Sequence, residues 1–94
     1  MPFRSVLRTQ ITTASVEQTV PLPKNTVRIK ARPIRNPSAT VSFSTEVGGS
    51  DGGFIGTEDN PWDSGDVSFL NPTNLYFQSQ QAGVIVEIEA LFEH

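Results

Sequence analysis

Five carboxylates, Asp51, Glu58, Asp59, Asp63 and Asp66, gather in or beside one glycine-rich loop of a 94-residue chain. Carboxylate oxygens on loops are what Ca²⁺ takes, but the spacing here does not follow that of an EF-hand. Two carboxyls could also hydrolyse a glycosidic bond, provided a cleft held them about 5 to 9 Å apart with one pKa raised. A chain this short hardly walls such a cleft. The simpler reading is preferred to both: acidic, glycine-rich loops are solvated turns in which Asp caps its own backbone.

The other parts of an active site are missing. Cysteine is absent, which removes disulfides and thiolate metal sites together. The one histidine, His94, stands last and is read as frayed into solvent. Without an internal His no Ser-His-Asp arrangement forms, and no G-x-S-x-G elbow is present. The run Gly48-Gly49-Ser50-Asp51-Gly52-Gly53 looks like a phosphate loop only superficially, since no Gly-Lys-Ser/Thr follows it. Trp62, with Tyr76, Phe54 and Phe77, suits either a sugar-stacking platform or core packing, and packing is the commoner use. We therefore assign no catalytic, cofactor-binding or metal-binding residue and expect a protein that is not an enzyme.

Charge is segregated along the chain. All seven basic residues, Arg4, Arg8, Lys24, Arg28, Lys30, Arg32 and Arg35, precede position 36, where only Glu17 opposes them. Nine acids and no Lys or Arg follow. Either the fold carries two faces of opposite sign, suited to contacts between unlike surfaces, or strands from both halves alternate in one sheet and pair their charges. The second is the plainer reading. Nucleic-acid binding is not expected, because no basic patch outweighs its surroundings and the aromatic residues fall mainly in the acidic half. No run approaches the length of a membrane span, nor does the start resemble a signal peptide, so membrane contact is not expected and synthesis in a cytosol is.

These residues must be positioned by short strands. Seven prolines and seven glycines cut the chain into segments rich in Val, Ile, Thr, Ser and Phe. Strands are predicted over 3–13, 26–31, 39–46, 67–70, 75–78 and 84–92, with a shorter one at Phe54 and Ile55. The pair 67–70 and 75–78 reads as a hairpin, and Pro21 and Pro33 read as breaks. In 26–31, Val27, Ile29 and Ala31 point inward while Arg28, Lys30 and Arg32 point out. Over 84–92 a helix is also conceivable, but four β-branched residues in five decide for a strand.

The expected fold is all-β: one antiparallel β-sandwich spanning 1–94, immunoglobulin-like or jelly-roll, with about six to eight strands and almost no helix. Residues 47–66 form its long acidic, Gly-rich loop region. The expected core is Val27, Ile29, Val41, Phe43, Phe69, Leu75, Phe77, Val84, Val86 and Ile88.

Two stretches carry a resemblance. Val27-Arg28-Ile29-Lys30-Ala31-Arg32-Pro33 leads into Asn36-Pro37-Ser38-Ala39-Thr40-Val41, and Asn74-Leu75-Tyr76-Phe77-Gln78-Ser79 leads into Ala82-Gly83-Val84-Ile85-Val86-Glu87-Ile88. Both resemble small structural proteins of tailed bacteriophages. The resemblance implies a β-sandwich that decorates or cements an icosahedral head, with the major capsid protein or another virion protein as partner. It implies many copies or self-association, and a place in the virion after assembly in the host cytoplasm. No functional residue carries over from it. Within that reading, residues 1–8 are either an extended arm, in which Phe3 anchors and Arg4 and Arg8 meet an acidic surface, or a plain edge strand. Trp62 completes the expected partner interface. The alternative is a tail- or fibre-associated module that binds host carbohydrate through Trp62 and the acidic loop.

Overall fold

Alternation of apolar and polar side chains draws this chain into strands, and glycines, prolines and Asx turns end them. In a computed structural model, residues 3–67 and 73–93 are described. They form β1 (Phe3–Gln10), β2 (Gln18–Pro21), β3 (Thr26–Ile34), β4 (Val41–Ser44), β5 (Phe54–Gly56), β6 (Trp62–Asp63), β7 (Asn74–Gln78) and β8 (Ile85–Phe92). Two four-stranded sheets result, β1-β8-β3-β6 and β2-β7-β4-β5, and all the pairings are antiparallel. Strand β1 pairs with β8, β2 with β7, β3 with β6 and β4 with β5. The chain is thus one nested antiparallel ribbon rolled into two sheets, which is the jelly-roll topology. That order resolves the two sandwich types that the strand pattern left open.

The sheets enclose one apolar core. Ile29, Val41, Phe43, Leu75, Phe77, Val84, Val86 and Ile88 are buried as expected, and Ile11, Val20, Leu22, Ala31, Ala39 and Ala90 join them. Three hydroxyls are buried with them, and each donates a hydrogen bond: Thr26 to Pro23 O, Ser50 to Glu17 and Ser79 to Thr40 O. Phe69, much of the 67–70 segment and His94 lie outside the described residues.

Several sequence expectations need correction. Val27 is half-buried, not core: the β3–β8 register slips between Thr26 and Arg28, leaving Val27 as the extra residue of a bulge, while Thr26 is buried instead. Pro33 does not end β3. The backbone of Ile29 bonds to Ser64, on the β6 side, so by alternation the nitrogen of Pro33 also faces that side. Strand β6 pairs only with Lys30 and Ala31, so Pro33 has no β-ladder donor to forfeit there. Strand β7 pairs with β2 on one side and β4 on the other, and its expected hairpin partner 67–70 lies, but for Val67, outside the described residues. Strand β8, last in sequence, lies inside its sheet between β1 and β3.

Candidate functional site

Sheet β1-β8-β3-β6 turns a polar face to solvent, and its strand order explains the segregated charge. Basic β1 and β3 flank acidic β8, and the acidic Asp63 of β6 closes the row beside β3. Arg4 pairs with Glu89 at 3.1 Å, Arg8 with Glu87 at 2.9 Å, Arg32 with Glu87 at 3.5 Å and Arg28 with Asp63 at 2.6 Å. Charges from the two halves of the chain therefore neutralise one another across strands. The Arg28 guanidinium, bonded through two nitrogens, and the Gly65 N–H hold Asp63 down at about 2. Arg8, with Arg32 adding to it, holds the Glu87 carboxyl below its ordinary value.

A second carboxylate clasp lies on the other sheet. Glu46-Val47-Gly48-Gly49 and Ser50-Asp51-Gly52-Gly53 make two consecutive turns, closed by hydrogen bonds from Gly49 N to Glu46 O and from Gly53 N to Ser50 O. Each has a glycine at φ 77° in its third position, as a type II turn requires. Glu17, just before β2, accepts the N–H groups of Gly48 and Ser50 and the hydroxyl of Ser50. Those donors, the Ser50 hydroxyl first, hold the Glu17 carboxyl below its ordinary value. The clasp fixes the double turn beside a groove of about 380 Å³, lined among others by Ser15, Thr40, Ser42, Asp51, Gln78 and Gln80.

These carboxylates set an acid limit on stability. Glu17, Asp63 and Glu87 all bind protons less readily folded than unfolded, so their contribution is complete above the ordinary carboxylate range. It is lost as pH falls through the depressed folded values, for Asp63 between 3.8 and about 2. Urea midpoints should therefore hold steady from about pH 7 to about 5 and fall below about pH 4. A midpoint unchanged at about pH 3 would contradict the assigned clasps.

The aromatic residues form a stack instead of a platform. Trp62 lies between Phe43, centroids 5.6 Å apart, and Phe54, 5.8 Å apart, with interplanar angles of 13° and 11°. One face of the indole thus meets the core and the other is covered by Phe54. Phe54 itself is 66% exposed, as is the neighbouring Ile55, and both belong to the edge strand β5. Sequence reasoning missed this apolar pair as a surface feature, because only the edge position of β5 leaves it uncovered.

The four residues expected to share one interface do not come together. Phe3, Arg4 and Arg8 lie on β1 and Trp62 on β6, at the two opposite edges of the same sheet. Residues 3–8, the described part of the expected arm, are paired residue for residue with β8, with Phe3 against Phe92. Arg4 and Arg8 are engaged by Glu89 and Glu87 within the chain itself.

The loop carboxylates likewise scatter. Asp63 binds Arg28, Glu58 accepts the N–H of Asn36, and Asp51 lines the groove. Among the described residues, no three metal-ligating side chains stand close enough to hold an ion. No family model, curated protein or solved structure matches the chain.

Proposed function

We propose that this jelly roll is a structural protein of a tailed-phage virion, bound in many copies to the head as a decoration or cement module through the β5–β6 flank. One observation carries the choice of surface: Phe54 and Ile55, each 66% exposed, stand on the edge strand β5, Phe54 stacked on Trp62 and Ile55 on the opposite face of the strand beside Ser42. Apolar side chains left open on an edge strand suit burial against another protein. Jelly rolls serve in viral capsids and in lectins alike, so the residues and not the fold carry the reading. The partner is the major capsid protein or another virion protein, and the contact works by surface complementarity without chemistry.

Co-sedimentation with heads that lack the protein tests this. Wild type should pellet, and the double variant Phe54→Thr, Ile55→Thr should bind at least about tenfold more weakly while keeping its circular dichroism. Failure of wild type to pellet overturns the reading. Undiminished pelleting of the variant removes the β5–β6 flank as the contact.

The groove beside the double turn favours a second reading, a carbohydrate-binding module of a tail or fibre. Its neutral amides and hydroxyls, with one carboxylate and Ile55 at the wall, suit a polyhydroxyl ligand. In that case neutral oligosaccharides should shift the amide resonances of Gln78 and Gln80, and Gln78→Ala should abolish the shift. Trp62 does not line that groove and would then play no part.

A further inference from the structure

We propose that two copies of this chain pair along β1, in antiparallel register about Leu7, to make one continuous eight-stranded sheet. The inference stands apart from the capsid reading, since it uses the edge of the sheet opposite Trp62.

The backbone shows which groups are free. Ile11 donates to Val84 O at 2.8 Å and accepts from Gly83 N at 2.7 Å, so its peptide groups face β8 and the turn before it. Alternation along the uninterrupted β1–β8 ladder turns those of Phe3, Ser5, Leu7 and Thr9 the same way. The N–H and C=O groups of Arg4, Val6, Arg8 and Gln10 point out along the open edge of the sheet. That edge is lightly guarded: β1 contains no proline and no bulge, no charged side chain points inward from it, and its two outward charges, Arg4 and Arg8, are paired with Glu89 and Glu87 of β8. Val6 is 46% exposed and Leu7 41%, one on each face of the strand.

Symmetry then narrows the occupant to a second copy in one register. A two-fold axis normal to the sheet sets each inward residue opposite an inward one. Centring on Val6 sets Arg4 against Arg8 twice, which repels. Centring on Ser5 shortens the pairing to residues 3–7 of each strand and leaves Arg8 and Gln10 unused. Centring on Leu7 sets Leu7 against Leu7, Val6 against the stem of Arg8, and Arg4 against Gln10. It opposes no like charges and uses residues 4–10 of both strands. Glu87 and Glu89 already hold the two arginines outward, so the edge approaches a copy of itself without bare charge.

The native chain has no cysteine, so single thiols report the register cleanly. Sedimentation velocity of wild type should show twice the chain mass, dissociating on dilution. Leu7→Cys should oxidise to a linked dimer at least about tenfold faster than Ser5→Cys or Thr9→Cys, because a non-hydrogen-bonded antiparallel pair brings Cα atoms within disulfide reach. Val6→Pro removes an edge N–H that β8 does not use, so it should give a monomer with unchanged circular dichroism. A wild-type monomer at every concentration, a dimer that survives Val6→Pro, or fastest linkage at Ser5→Cys or Thr9→Cys would each overturn the proposal. Head binding by the Phe54 and Ile55 flank is read separately with the Val6→Pro monomer.

Discussion

Phe43→Ala should lose about 3 to 5 kcal/mol of folding stability. The ring is fully buried at the middle of the sandwich, its centroid 6.2 Å from that of Phe77 and 5.6 Å from that of Trp62. Gly56 makes room for it: a Cβ there would stand 3.0 Å from the Phe43 ring and from the Ala31 carbonyl. Strands on both sides pin the backbone, so the surroundings have little freedom to collapse into the space left. The loss should extend beyond the cavity, because Trp62 would keep only Phe54 as a stacking partner and Phe54 is itself exposed. Urea titration followed by tryptophan emission and by circular dichroism checks this. Emission should shift to the red in the folded variant, and a loss below about 1 kcal/mol would contradict the strand register.

The second large effect is expected at Gly53. A methyl group there would stand 2.4 Å from the carbonyl oxygen of Phe43 and 3.0 Å from that of Gly49. Both are backbone atoms, one in a central strand and the other in the double turn that Glu17 clasps, so neither swings aside. Gly53→Ala should therefore cost about 1 to 3 kcal/mol by overpacking. Gly48→Ala provides the contrast. Space around it is open, and its cost comes from φ 77° alone, about 1 to 2 kcal/mol. The two should separate by a second change: Glu17→Gln keeps the shape of the clasp but weakens its bonds. In that background the Gly53 strain should be partly relieved, because the turn is freer to move, while the Gly48 cost should stay the same. Equal costs at Gly53 in both backgrounds would mean that the clasp does not hold the turn against β4.

What could be read from the residues follows a physical divide. Strand β8 and residues 28–31 of β3 were legible because apolar and polar side chains alternate there with one face in the core. Strand β2 was missed because Gln18–Pro21 is four residues long, between a polar loop and two prolines, and only its pairing with β7 makes it a strand. Strand β6 has two residues, too few for any period to show. The bulge at Val27 and the tolerance of Pro33 depend on which neighbour is present at each rung, which no local pattern encodes. The double turn had a visible signal in its repeated x-x-Gly-Gly, although its Glu17 clasp joins positions far apart in the chain. The site was less legible than the fold. Trp62 was rightly weighed as packing first, but the exposure of Phe54 and Ile55 comes from sheet order, and so does the neutralisation of Arg4 and Arg8.

The nested pairing also dictates a timetable. Strand β1 is joined to its sheet only through β8, some eighty positions later, and β8 is equally the partner of β3. As the chain leaves the ribosome, β4 and β5 can meet early, but β1 has nothing to bind until residues 85–92 emerge. Contacts of such long sequence separation make folding slow. Until they form, the open edge and the apolar face of β1 are presented to whatever is near, another nascent or newly released chain included.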